Sequence, residues 1–183
     1  MPEGVVNIDQ ACSLELSQAE QDIFWMQYAY QLAEKAALQG EIPVGAVVVL
    51  KGKLIAEGWN QSIQNHDPTA HAEIIALQKA GRSIENYRLL ESTLYVTLEP
   101  CPMCAVAMVH ARVARVVYGA ADLKTGAAGS VFNLVDSRQL NHRLVVQAGV
   151  LQDDCSTQLS AFFKARRKAH KETKATQKKG LDE

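Results

Sequence analysis

Apolar positions along the chain recur with two different periods, and the alternation between them lays out the elements. Ser17 and Glu20 form an S-x-x-E capping box. After it Ile23, Phe24, Met26, Ala29, Tyr30, Ala33, Ala36 and Ala37 favour one side of a helix that runs to about Gln39 and stops at Gly40. Residues 44–50 are Val-rich without a polar break, the pattern of a central strand buried on both faces. Lys51-Gly52 supplies a turn, and residues 54–59 return as the second strand of a hairpin. After a loop at 60–66, Asp67-Pro68-Thr69 opens a helix over 70–80, ended by Gly81, with His71 in its first turn. A connection at 83–91 leads to a strand at 94–98, a helix at 101–111 with Pro102 at a tolerated early position, and a strand at 115–118. That β-α-β succession predicts parallel strands joined by a right-handed crossover. A Gly-containing loop at 122–130, a short strand at 143–146 and a helix at 153–169 complete the chain. The sum is an α/β protein of three layers, α/β/α, around a mixed five-stranded sheet.

With 183 residues, 48% of them hydrophobic, the chain suits one compact domain over 17–170. Residues 1–16 show no sustained period and form an arm of unassigned order; residues 171–183 have lost nearly all apolar character and are expected to be a disordered basic tail. No apolar run approaches the roughly 18 residues of a membrane span, so no membrane partner is expected. No Lys or Arg precedes Lys35, while Glu3, Asp9, Glu15, Glu20, Asp22 and Glu34 are acidic, which argues against a leader and for a cytoplasmic protein. The net charge of -1 hides an asymmetry: Lys164, Arg166, Arg167, Lys168, Lys171, Lys174, Lys178 and Lys179 crowd the carboxyl end. Taken alone, a basic run of this kind is usually a solvated helix face.

The cysteines sharpen the picture. Cys12 and Cys155 read as ordinary thiols, but Cys101 and Cys104 are three apart, so both can turn toward one point. In an intracellular chain that spacing favours metal or redox use. A single distant histidine, His71, can complete a three-ligand site, and three protein ligands leave one tetrahedral position of Zn²⁺ open for chemistry. Glu73 follows His71 by two residues, about 200° around a helix, so it is placed to work beside the metal rather than to bind it. Spacing alone also allows a closed structural Cys₂His₂ site, with His66, His110 or His142 as the fourth ligand and Glu73 a surface acid.

His71-x-Glu73 followed by Pro100-Cys101-x-x-Cys104 matches the signature of zinc nucleobase deaminases. Hydrolytic deamination of an aromatic amidine carbon needs a nucleophile stronger than bulk water, a proton for the ring nitrogen and another for the departing amine. Zinc addresses the first need and a single carboxylate can serve both others, which assigns Glu73 as the proton carrier.

The blocks Pro43-Val44-Gly45-Ala46-Val47, Gly58-Trp59-Asn60, 66–73, Asn86-Tyr87-Arg88-Leu89, 94–104 and 124–130 extend the match well beyond the metal motif. From Ile42 to about Arg167 the chain resembles the bacterial tRNA-specific adenosine deaminases, which make inosine at the wobble position of an arginine tRNA anticodon. The resemblance implies a cytidine-deaminase-like fold, one Zn²⁺ per subunit held by His71, Cys101 and Cys104, and Glu73 as catalytic residue. It also implies a homodimer acting on a tRNA anticodon stem-loop. By position, Asn60 would contact the target nucleoside, and Ile42, Pro43, Ala72 and Leu98 would line the pocket of the flipped base. Asp122, Lys124, Thr125 and Asn141 would lie along the anticodon-loop path, with Phe163, Arg166 and Arg167 holding flanking nucleotides. The chain departs from the family pattern at Ala121, where an Arg often stands, and in an arm before Ser17 that is longer than usual. Two other readings compete: a free-purine deaminase such as one acting on guanine, which has no reason for the basic final helix, and a zinc-stabilised RNA-binding module, which has no use for Glu73.

Overall fold

The computed structural model describes residues 16–179, so Cys12 and nearly all of the expected arm lie outside the described residues. The elements are α1 (Gln18–Leu38), β1 (Gly45–Leu50), β2 (Lys53–Trp59), α2 (Ala72–Ser83), β3 (Ser92–Leu98), α3 (Pro102–Ala111), β4 (Arg115–Ala120), β5 (Val145–Gln147) and α4 (Gln152–Lys179). The strands form one five-stranded sheet in the order β2-β1-β3-β4-β5. β1 is antiparallel to both β2 and β3, whereas β3, β4 and β5 run parallel, so the sheet is mixed.

Alternation along the strands sorts the core into two halves. Ala46, Val48, Leu94, Val96, Val116 and Tyr118 meet α2 and α3 on one face. Val47, Val49, Tyr95 and Val117 meet α1 and the start of α4 on the other. β1 is therefore buried on both sides, as its unbroken Val run requires. On α1 the capping box is formed and the buried face is Asp22, Trp25, Met26, Ala29, Leu32, Ala33 and Ala36. Ile23, expected on that face, is exposed, because Trp25 and Leu32 take the i, i+4, i+7 stripe instead.

Several boundaries differ from the sequence reading. α2 begins at Ala72, leaving His71 as its N-cap in an extended conformation, and it passes through Gly81 to end where Glu85 takes the left-handed turn. The last strand is Val145–Gln147 rather than 143–146, set by its parallel pairing with Arg115, Val116 and Val117. α4 does not stop at Ala169: the stretch to Lys179, expected to be a tail, continues the helix. Lys, Glu, Gln and Ala are strong helix formers, and extending a helix already nucleated on the sheet costs far less than starting one.

One glycine governs where the site can form. A Cβ on Gly58 would lie 2.3 Å from the carbonyl oxygen of Ala72 and 2.8 Å from the nitrogen of Ala76, so the first turn of α2 rests directly on β2. The starts of α2 and α3 consequently lie at the same end of the sheet as the beginning of β1 and the ends of β3 and β4. That is where α/β sheets place their ligands.

Candidate active site

Two helix starts carry the ligand set. His71 is the N-cap of α2 and Cys101 the N-cap of α3, neither with a side-chain capping bond, so both side chains are released toward the space between them. Pro102 at the first position of α3 fixes the entry, and Cys104 follows two residues later, fully buried. Cys101 Sγ lies 3.7 Å and Cys104 Sγ 3.6 Å from His71 Nδ1. A tetrahedral zinc with ordinary Zn–S and Zn–N bonds would space a sulfur and a nitrogen about 3.6 Å apart. The three donor atoms lie within 4.8 Å of one another, and among the described residues no other His, Cys, Asp or Glu joins the group. The closed Cys₂His₂ alternative is therefore not met: His66 and His110 are exposed, and His142 Nε2 is 2.7 Å from the carbonyl oxygen of Val113. The donor set and its spacing fit a zinc ion with one position unfilled by protein.

The electrostatics around this trio are those of a site made for a cation. Cys101 is pulled down to about 4, first by the Cys104 thiol donating to it and then by His71, against the effect of burial. Cys104, which supplies that proton, is pushed up by the same bond and by burial. The Cys101 sulfur holds the His71 imidazole above its usual range although burial opposes it. Cys101 and Cys104 would give up the shared proton on holding a divalent cation, since a coordinating thiol is deprotonated outright. The unsatisfied N–H groups of two helix starts add positive potential that favours the thiolates.

Glu73, at the second position of α2, is 4% exposed. Burial pushes its carboxyl up to about 7, with its own backbone N–H and the His71 charge pulling the other way. Asn60, just after β2, is also buried, and its Oδ1 accepts the Ala72 N–H at 2.9 Å. Its carbonyl is thus spent on the start of α2, and what it can offer a ligand is the amide N–H₂.

These residues border a cavity of about 130 Å³ lined by Ile42, Val44, Asn60, His71, Glu73, Leu98, Glu99, Cys101, Asp122 and Thr125. Pro43 and Ala72 are buried next to lining residues, and Lys124 is exposed beside Asp122. Four of the expected residues are not brought to this cavity. The exposed Asn141 accepts a hydrogen bond from Arg112 Nη1 at 2.7 Å, just past the far end of α3, whose ten residues span about 15 Å. Phe163 packs edge-on to Phe162, and Arg166 and Arg167 are exposed on α4. Val44 and Glu99 line the cavity without having been singled out from the sequence. For Glu99 there was a signal: a carboxylate at the end of an apolar strand, two residues before Cys101.

A three-layer α/β/α fold with a cation-ready trio at two helix starts and a buried carboxylate beside it defines the zinc-dependent deaminase class. A model of the cytidine and deoxycytidylate deaminase zinc-binding region matches residues 19–120. Within that class the chain belongs to the tRNA-specific adenosine deaminases. It is 56% identical to the tRNA-specific adenosine deaminase of Haemophilus influenzae over 86% of this chain and 91% of the relative. Its identity to the Bacillus subtilis enzyme of the same name is 44%, covering 82% and 94%. A solved structure from studies of A-to-I editing by tRNA:A34 deaminases at the wobble position superposes with a TM-score of 0.71 and 38% identity, over 73% of this chain and 97% of that one. A guanine deaminase from Nitrosomonas europaea shares the fold at a TM-score of 0.68, with 23% identity over 85% and 91%. Among the described residues no helix is long and apolar enough to cross a membrane.

Proposed function

We propose that this enzyme deaminates adenosine to inosine in tRNA, at the wobble position of an arginine tRNA anticodon, with release of ammonia. The observation that carries the reading is the ligand trio with Glu73 buried beside it, in a chain 56% identical to a tRNA-specific adenosine deaminase. His71, Cys101 and Cys104 would hold one zinc ion per subunit, which supplies a Lewis acid that brings the pKa of water to about 7. Glu73 takes a proton from the attacking water and delivers it to the ring nitrogen as the C–O bond forms, then takes the remaining proton from the new hydroxyl and passes it to the amine as the C–N bond breaks. Water and adenosine are thereby accounted for as inosine and ammonia.

The cavity supports a flipped base. At about 130 Å³ it is well below the roughly 300–1,000 Å³ of pockets that enclose a drug-sized ligand, so it suits one base with ribose and phosphates left outside. Ile42, Val44 and Leu98 form its apolar walls, with Pro43 and Ala72 buried beside them, and the Asn60 amide donates to the nucleoside. Asp122, Lys124 and Thr125 border the path of the anticodon loop. Phe163, Arg166 and Arg167 reach flanking nucleotides from α4, and Asn141 acts from the Arg112 end of α3. The enzyme works as a homodimer in the cytoplasm.

Incubation of the purified protein with an arginine tRNA, with an anticodon stem-loop and with free purines tests the assignment by nucleoside analysis. Inosine at the wobble position of the RNA is expected. Deamination of free guanine or adenine in preference to the RNA overturns it.

A further inference from the structure

The carboxylate of Glu99 accepts four hydrogen bonds, as many as Asp22, yet the deamination steps give it no task. It directly follows β3 and is 2% exposed. Its Oε1 accepts the N–H groups of Ala128 at 2.9 Å and Ser130 at 3.0 Å. Its Oε2 accepts the Asp122 N–H at 3.0 Å and the Ser130 hydroxyl. All four donors come from the single loop 122–130, and among the described residues no Lys or Arg forms an ion pair with the carboxylate. Such surroundings suit an acceptor-only carboxylate.

The loop is wrapped tightly around this group. A Cβ on Gly126 would lie 2.4 Å from Glu99 Cδ and Oε2 and 2.5 Å from the Asp122 carbonyl oxygen, so no side chain fits there. On the other side, Ala127 N–H bonds to Pro100 O at 2.8 Å, between Glu99 and Cys101. What the loop then presents is Asp122, whose Oδ1 accepts the Lys124 N–H at 2.9 Å and the Thr125 N–H at 3.2 Å and whose Oδ2 accepts the Thr125 hydroxyl at 2.6 Å. Asp122 and Thr125 line the cavity from that loop.

We infer that Glu99 is the positioning residue that holds the Asp122–Thr125 wall of the cavity in register with the metal ligands, so that RNA meets a preformed edge. The inference rests on the RNA deaminase reading for the identity of the ligand. Although Glu99 lines the cavity, its carboxylate oxygens are taken up by the donors of loop 122–130, and it acts through that loop. A carboxylate is required because a carboxamide turns an N–H₂ toward a donor. The Ser130 hydroxyl can rotate to accept from it, but the Asp122 N–H cannot.

The test compares zinc-loaded wild type and Glu99→Gln on an anticodon stem-loop. KM is expected to rise about tenfold to a hundredfold, the size of losing one hydrogen bond to a charged group, with kcat and zinc content nearly unchanged. In an Asp122→Ala background Glu99→Gln should change KM by no more than about twofold, since the two residues act as one unit. Unchanged KM in Glu99→Gln, or a full independent effect in the Asp122→Ala background, overturns the inference. So does a loss confined to kcat and zinc content. If Glu99→Gln does not fold, Gly126→Ala displaces the loop from the opposite side and must reproduce the KM rise; unchanged KM there overturns the claim equally. Amide hydrogen exchange at Asp122, Ala128 and Ser130 reads the same coupling without RNA. If the wild type leaves the RNA unmodified, the deaminase reading falls and exchange alone decides: faster exchange in Glu99→Gln supports the hold on the loop, and unchanged exchange overturns it.

Discussion

Polar groups inside the body and charges on the outer half of α4 obey different rules. Inside, Glu73, Glu99 and Asp22 are each at most 5% exposed, and each has designated neighbours. Asp22 accepts both Arg115 guanidinium N–H groups at 2.6 Å, the Tyr95 hydroxyl at 3.0 Å and Gln18 Nε2 at 3.0 Å. Outside, residues 163–174 of α4 are exposed all round, and the ion pair between Lys168 and Glu172 there stretches to 4.0 Å with both side chains mostly in water. Pairs of that kind contribute little to stability. The interior therefore fixes geometry, whereas the helix offers a field with little geometry of its own.

The sharpest way to break that division is Glu73→Gln. It should lower turnover by about 10²- to 10⁴-fold, the usual worth of a positioned acid–base group, while zinc content stays at the wild-type value. Undiminished turnover would move Glu73 out of the mechanism. Next in size is Asp22→Ala, which leaves the part-buried Arg115 without its partner and should cost about 2–3 kcal/mol of folding stability by denaturant titration. The same pair sets a pH limit. Burial raises the Asp22 pKa, but Arg115, Gln18 and Tyr95 outweigh it and hold the carboxyl below its ordinary 3.8. Its stabilisation is thus fully present above pH 3.8 and is lost as pH falls through the lower folded value, and Asp22→Ala should flatten that part of the acid unfolding curve. The smallest effect is expected outside. Arg166→Ala with Arg167→Ala should leave kcat and thermal stability alone, weaken stem-loop binding and reduce the slope of log K against log salt by about 1.4, two charges' share on single-stranded RNA. A wild type insensitive to salt would deny α4 its proposed part.

How much of this could be read in advance follows the same line. The Val run of β1, the Lys51-Gly52 hairpin and the β-α-β crossover come from local periods and turn chemistry, and they stand as expected. His71, Cys101 and Cys104 were legible because metal ligation demands particular residue types at particular spacings. Glu99 and Asp22 were not, because their importance lies in donors distant in sequence: Ser130 for one, Arg115 for the other. A lone acid in an apolar stretch is a flag without an address. The end of α4 departs from the expected tail for the opposite reason: loss of apolar character is not loss of helix, because helix propensity needs no buried face.

The strand order carries a consequence for how the molecule comes together. β3 lies between β1 and β4, although α2 and the loop that bears His71 separate it from β1 in the chain. Imidazole and thiols cannot meet until β3 has slotted into place, a step that closes distant segments and is slow for that reason. Binding of an ion therefore waits on the insertion of β3 but not on β5, the edge strand beyond β4.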